Sequence, residues 1–563
     1  MAQAATPDSW RIGPNMATGR LVPSIASLGD GRVIVMGGQA SGPALNTVEI
    51  FDPTSGTWSA GPTMGSGRLD APAVRLTNGN VLVAGGASGS DTTAEVYNPT
   101  LNSWNPTANN SRDPHASNPI AGPSTFSAAA LPNGKVLLAG SSASPTIQAD
   151  LYDTADNKFH PAANMGTARQ FVGELLLSNG KVLVAGGFDG TDAISSAEVY
   201  DPVADTWTPV SNTMSAAHIN PQMAPLPGGK AMVFGGPTTG AITPTADTEI
   251  YDPATNRFTP TGSMNVPRLI SNVTSLADGR VVVSGGVTGF STGSGVLSST
   301  EVYEPTSGRW SFGASMFTPQ AGGGSARLPS DEVLVLGGEA SGGAPPVVMT
   351  EIYTPATVPA VPGSVSAVPG DRSALVTWSP PTSTGGSPIV HYTVIASTGQ
   401  RVTTPDARTN AAVTGLSNDH RVTFTVTATN GVGTGPASAA SNAVTPTRPD
   451  TSAPSIVITK LATRVKLKSL LKSGIGFTVK PSESSSLDIA LLASATSAHI
   501  SKAFNLTLAT KTLRRGTGAR SVKLTPNRKL LGHAKKFSLL LRVTATDAAG
   551  NRRTVSKTVR VRP

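Results

Sequence analysis

The sequence has no cysteine. That absence excludes disulfides, thiolate metal sites and cysteine nucleophiles, and it leaves the redox compartment unmarked. Aromatic residues make up 5% of the chain and charged residues 14%. No apolar run approaches the ~20 residues of a membrane-spanning helix, and no amphipathic helix of ordinary length stands out. Phosphate loops, dinucleotide fingerprints and zinc-protease helices are also missing. The opening Met1-Ala2-Gln3-Ala4-Ala5-Thr6 lacks an apolar signal core; it looks like the small-residue end of a signal peptide already removed.

Glycine and proline are abundant, at 60 and 45 of 563 residues. With short alternating apolar runs they indicate strands and turns, in a chain long enough for several cores. The net charge of +9 is unevenly spread. Residues 451–563 hold 22 Lys and Arg against Glu483, Asp488 and Asp547, whereas the first 450 hold 21 basic and 31 acidic groups. An acidic body therefore carries a basic tail.

A repeat of about fifty residues organises the body. A glycine pair closes an apolar run at Gly37-Gly38, Gly85-Gly86, Gly186-Gly187, Gly235-Gly236, Gly285-Gly286 and Gly337-Gly338, with a degenerate copy at Gly140-Ser141. Before most runs stands a hairpin dipeptide such as Asp30-Gly31, Asn78-Gly79 or Asp278-Gly279, which supplies the positive φ of a tight turn. After each pair comes acid–apolar–aromatic, from Glu49-Ile50-Phe51 through Glu198-Val199-Tyr200 to Glu351-Ile352-Tyr353. A turn then leads to a second aromatic: Trp58, Trp104, Phe159, Trp207, Phe258 or Trp310. Each unit reads as four short strands, the composition of one propeller blade. Seven glycine pairs are followed by only six such aromatics; the seventh is Trp10. Residues 8–12 are thus expected to supply the outermost strand of the blade built by residues 327–355, which removes the open edge.

This pattern resembles the kelch repeat over nearly all of residues 8–357. The departures are Ser141 for glycine, Phe51 for tyrosine, and nine extra residues after Trp104. Residues 360–447 resemble a fibronectin type III domain, through Trp378 in Val-Thr-Trp-Ser-Pro-Pro, Tyr392, Leu416 and the strand 423–428, with Val422 in place of the corner tyrosine. Near the end of residues 451–563, the stretch Thr544-Ala545-Thr546-Asp547-Ala548-Ala549-Gly550-Asn551 is similar to bacterial immunoglobulin-like repeats. The expected fold is all-β: a seven-bladed kelch β-propeller over residues 1–357, then two β-sandwich modules, 360–447 and a basic 451–563.

One polar slot recurs ten residues after the aromatic: Arg20, Arg68, Arg169, Arg268 and Gln320, with His218 at eleven and Pro123 in the displaced third copy. In kelch proteins that bind peptides, arginines near this position can line the pocket, so the resemblance implies a ring able to grip an anionic ligand. The alternative is that each arginine pairs with a repeat acid such as Glu49 or Glu198 and ties the scaffold together. Loops on a rigid scaffold commonly carry recognition; those after the glycine pairs offer Phe188, Asp189, Asp192 and Phe290, and the insert adds Arg112, Asp113 and His115.

Kelch propellers include galactose oxidase, whose copper-radical chemistry needs a Tyr–Cys crosslink. Without cysteine, and with His115, His160 and His218 at unrelated repeat positions, that activity is not expected, nor is any cofactor. Gly289-Phe290-Ser291-Thr292-Gly293 matches the nucleophile-elbow string but lies in a Gly/Ser-rich loop rather than between strand and helix. The expectation is a secreted or surface-attached, monomeric, non-catalytic binding protein. Its propeller loops and channel mouth would engage a glycan, peptide or protein, and its basic module an anionic wall polymer or membrane surface. Few aromatics interleave the basic residues, so nucleic acid is not the expected partner. The competing reading is a sugar mutarotase of the kelch kind, using channel acids and Arg68 and Arg169.

Overall fold

The computed structural model describes residues 8–86, 93–108, 128–140, 145–238, 243–289, 295–494, 505–531 and 537–563. Seven four-stranded antiparallel sheets form the propeller. Blade 1 comprises Ser24–Ser27, Val33–Met36, Val48–Asp52 and Thr57–Ala60, from channel to rim. Blades 2 to 6 repeat that order, their innermost strands being Ala73–Arg75, Ala128–Ala130, Gly173–Leu176, Gln222–Pro225 and Asn272–Ser275. Blade 7 takes Ala321–Arg327, Val333–Glu339 and Glu351–Thr354 from its own repeat and Ser9–Ile12 from the chain start.

The register explains the recurring aromatics. Trp10 lies opposite Tyr353, as Trp58 does Phe51 and Trp310 does Tyr303. Each blade stacks this pair with ring centroids 5.0–5.5 Å apart, a spacing that adds about 0.5–1.5 kcal/mol to simple burial. The closing indole is fixed by its own hydrogen bond, Trp10 Nε1 to the Ala314 carbonyl at 2.8 Å.

The glycine pair is needed for close approach as well as for turning. Gly37 and Gly38 hold φ of 62° and 84°, and a Cβ on Gly37 would stand 2.3 Å from the Arg68 carbonyl oxygen of the next blade. That same oxygen accepts the Gly38 N–H at 2.8 Å, and Gly338 donates likewise to Arg20 across the closure. Only glycine fits both demands.

After the propeller, the Ala356 carbonyl accepts Arg280 Nη2 at 2.7 Å. Asn430 Nδ2 then binds the carbonyls of Thr357 and Thr384, docking the next module directly onto the joint. That module packs two three-stranded sheets around Trp378, Tyr392, Phe424 and Val426. At the position of the missing tyrosine, buried Val422 exchanges two backbone hydrogen bonds with Val444, so apolar packing replaces the usual hydroxyl. The last module is a sandwich of a three-stranded and a five-stranded sheet over Phe477, Leu491, Leu541 and Val559. It includes one parallel pair, Arg464–Lys466 against residues 560–562.

Candidate functional site

The polar slot is closed to solvent. Arg20, Arg68, Arg169, His218, Arg268 and Gln320 are all 0% exposed. Arg20 Nη1 donates to the carbonyls of Gly37 and Thr47 at 2.7 and 2.9 Å, and Nε and Nη2 reach Glu49 Oε1 at 3.3 and 3.1 Å. Blades 2, 4 and 6 repeat the pair as Arg68–Glu95, Arg169–Glu198 and Arg268–Glu301, at 2.9, 3.3 and 2.7 Å. The same carboxylates accept backbone amides of the strand-to-strand connector, among them Ala17, Gly65, Gly166 and Asn265.

The four arginines thus turn onto their own blade's acceptors, although Arg169 Nε and the Gln320 amide have no partner, and the expected solvent-facing ligand ring is corrected to a buried set whose arginines are internal ties. Burial lowers the pKa of Arg20, Arg169 and Arg268 from the ordinary arginine value, but not enough to discharge so strong a base. In blade 5, His218 Nδ1 lies 2.7 Å from the Gly235 carbonyl, its Nε2 has no partner, and desolvation lowers its pKa. In blade 7, Gln320 leaves Glu351 to the amides of Phe317 and Thr318 at 2.8 Å each, and desolvation raises that carboxyl's pKa.

Of the loop residues, Phe188 is half-buried and exchanges backbone hydrogen bonds with Gln170 at 2.8 and 2.9 Å. Asp189 and Asp192 are exposed, and Asp189 Oδ1 accepts the Thr191 and Asp192 amides, which hold its pKa down. Phe290, with most of the nucleophile-elbow string, and Arg112, Asp113, His115, Pro123 and Ser141 lie outside the described residues. His160 is on the rim of blade 3, paired with Asp156 at 2.9 Å, far in the repeat from buried His218.

Two residues beyond the slot, a feature emerges that the sequence pattern did not reveal. Val22, Asp70, Phe171, Asn220, Ile270 and Gly322 all hold left-handed φ, between 44° and 63°. Five of them precede the innermost strands of their blades and Gly322 lies at the start of the seventh, and they are linked around the axis: Val22 donates to Gly322, Asp70 to Val22, Asn220 to Phe171 and Gly322 to Ile270, at 2.7–3.2 Å. For β-branched Val22 and Ile270 this conformation costs about 1–3 kcal/mol each. A Cβ on Gly322 would touch Leu21, Val22 and Ile270, so these apolar side chains converge over the glycine. The loops after the glycine pairs join the same end of the channel through the bridges Leu21–Gln39, Gln170–Phe188 and Leu269–Val287.

Glu174, on the innermost strand of blade 4, was also missed. Neither carboxyl oxygen is exposed or has a partner at hydrogen-bonding geometry, and desolvation raises its pKa well above the ordinary value. In the last module, Asp450, Glu483 and Asp547 bring carboxylate oxygens within 4.8 Å of one another. Both oxygens of Asp547 are held by Asn551, at 2.9 and 3.0 Å.

Comparison with known proteins agrees with this architecture. The Kelch motif matches residues 26–65, 176–214 and 274–317, and the Fibronectin type III domain matches 360–444. The chain thus carries kelch motifs within its seven-bladed β-propeller and a fibronectin type III domain after it. Kelch repeat-containing protein kel-10 of Caenorhabditis elegans is 39% identical over 66 residues, 12% of this chain and 11% of the relative. F-box/kelch-repeat protein SKIP20 of Arabidopsis thaliana is 32% identical over 177 residues, 29% of this chain and 40% of the relative. The match thus spans less than half of either relative. A copper-bound fungal alcohol oxidase of the AA5 family covers 76% of this chain and 85% of its own at 16% identity, with a TM-score of 0.35; a likeness that distant says nothing about function.

Proposed function

We propose that this is an exported, non-catalytic binding protein whose channel mouth engages a polypeptide ligand while its basic terminal module contacts an anionic polymer. One observation supports the mouth above others. The left-handed ring keeps one backbone geometry around the channel, yet its side chains are valine, aspartate, phenylalanine, asparagine, isoleucine and glycine. A purely structural ring calls for the residue that relieves strain at every position, which is glycine or asparagine. Strained, differing side chains on a common frame suit recognition. Half-buried Phe188 extends the same apolar rim, and the acidic propeller favours a ligand with basic residues.

The test is a screen of immobilised polypeptides and glycans against the intact chain and Ile270→Asn. Asparagine tolerates the left-handed region, so the propeller should unfold within ~1 kcal/mol of the parent. A polypeptide hit weakened tenfold or more by this change supports the reading. Hits indifferent to both Ile270→Asn and Phe171→Asn, or hits confined to glycans, would contradict it.

A further inference from the structure

On the final strand, Arg552–Arg562, Val559 and Val561 are buried in the module's core. Strand geometry then puts Arg560 and Arg562 on the outward face. The flanking parallel strand sets Arg464 beside Arg560 and Lys466 beside Arg562, with Val465 between them packed on the core. Arg542, between buried Leu541 and Val543 on the neighbouring strand, shares this face. All five side chains are exposed, and among the described residues none makes a hydrogen bond or ion pair. Among the described residues the acid on this face is Asp488, two strands from Arg560 but diagonal to Arg542 on the adjacent strand, and its carboxylate accepts Thr512 Oγ1 at 2.7 Å.

Like charges facing one another on adjacent strands destabilise a sheet. Here two such pairs stand in register, without an acid beside them. Resting on the reading of the basic module above, we propose that this outward sheet face is a docking surface for a phosphate-bearing polymer other than nucleic acid. Residues two apart on a strand are about 6.6–6.8 Å apart, and neighbouring strands about 4.8 Å. Arg464, Lys466, Arg560 and Arg562 therefore form a flat double row, with Arg542 farther along on the third strand opposite Ser556, an arrangement suited to a chain of repeated anions rather than to one small ion, which needs convergent donors. Four of the five are arginines, whose planar fork matches phosphate oxygens in pairs. Phe477 and Phe537 of this module are packed in or against its core. They provide no stacking platform on this face, so contact is with backbone charge.

The test measures binding of the intact chain to long-chain inorganic polyphosphate, polyglutamate and double-stranded DNA at matched charge and several salt concentrations. Two double variants remove equal charge: Arg560→Gln with Arg562→Gln on the face, and Lys468→Gln with Lys472→Gln on the exposed side of a short helix. The proposal expects polyphosphate to bind most tightly, with the arginine pair weakening it roughly tenfold or more and flattening the salt dependence, and the lysine pair changing it less than threefold. Thermal unfolding of the arginine variant should be unchanged or higher, because like-charge contacts are relieved. Equal effects of the two variants would overturn the assignment of the face while leaving a basic polyanion-binding module. Tighter binding to DNA or polyglutamate would overturn the phosphate-polymer assignment. No binding to any of the three would remove the underlying reading as well.

Discussion

Replacing Arg268 with alanine separates a structural tie from a ligand contact. Arg268 and Glu301 are both fully buried, with Nη2 2.7 Å from Oε1. The guanidinium also holds the carbonyls of Gly285 and Ser299 and the Ser299 hydroxyl, at 2.9–3.2 Å. In Arg268→Ala, Glu301 keeps the amides of Asn265 and Val266 and Asn265 Nδ2 but loses its counter-charge. Removing one partner of a buried pair costs about 3–5 kcal/mol. Blade 7 shows that an uncharged slot is tolerated, since Gln320 stands there above Glu351. Arg268→Gln should therefore cost less than the alanine change, and Arg268→Ala with Glu301→Gln should recover part of the loss. Guanidinium unfolding followed by tryptophan emission measures the loss, Trp310, stacked on Tyr303 at 5.2 Å, being one of the six tryptophans that report it. If Arg268→Ala left stability within ~1 kcal/mol of the parent while abolishing capture of an anionic ligand, the slot would be a binding ring and the reasoning would fail.

Two pH effects follow from buried groups of opposite sign. His218 is held neutral, with its pKa below the ordinary 6.5, so the unfolded chain takes up the proton first and stability falls as pH drops below that value. His218→Gln, the blade 7 solution, should flatten this slope, which is at most about 1.4 kcal/mol per pH unit; unfolding midpoints at pH 7 and 5 check it. Glu174 is displaced the other way, with its pKa raised, so its unfavourable contribution grows as pH rises above the ordinary carboxyl value. Glu174→Gln should stabilise the propeller by about 1–3 kcal/mol at pH 7 and by little at pH 4, as measured by denaturant unfolding at each pH.

The blade architecture was legible because each repeat restates the same constraints: Gly37-Gly38 for inter-blade approach, Glu49 for the connector, and Phe51 opposite Trp58 for the rim. Trp10 was readable as the closing strand for the same reason, being the aromatic its own blade lacked. The candidate site was less visible. Nothing local marks Val22 or Ile270 as left-handed, since β-branched residues prefer extended backbone. Their φ is imposed by hydrogen bonds to neighbouring blades made by residues about fifty positions away, or across the whole ring for Val22 and Gly322. Glu174 looks like any polar residue in an alternating strand, and the burial of its carboxyl oxygens arises only when blades pack side by side around the channel. The arginine slot was seen, but residue type alone could not distinguish a solvent-facing ring from one turned onto Glu49, Glu95, Glu198 and Glu301.

The central claim is that a strand at the chain start completes the seventh sheet. Its cysteine-free background makes the test direct. Ser9 lies opposite Thr354, and directly paired antiparallel residues have Cα separations of about 4.5–5.5 Å, within the range a disulfide spans. With Ser9→Cys and Thr354→Cys together, mild oxidation should join the two positions in nearly every molecule, read as a shift on a non-reducing gel. A chain left uncrosslinked, under conditions that close a control pair at Asp52 and Thr57 in the blade 1 hairpin, would contradict the closure and the seven-membered ring with it.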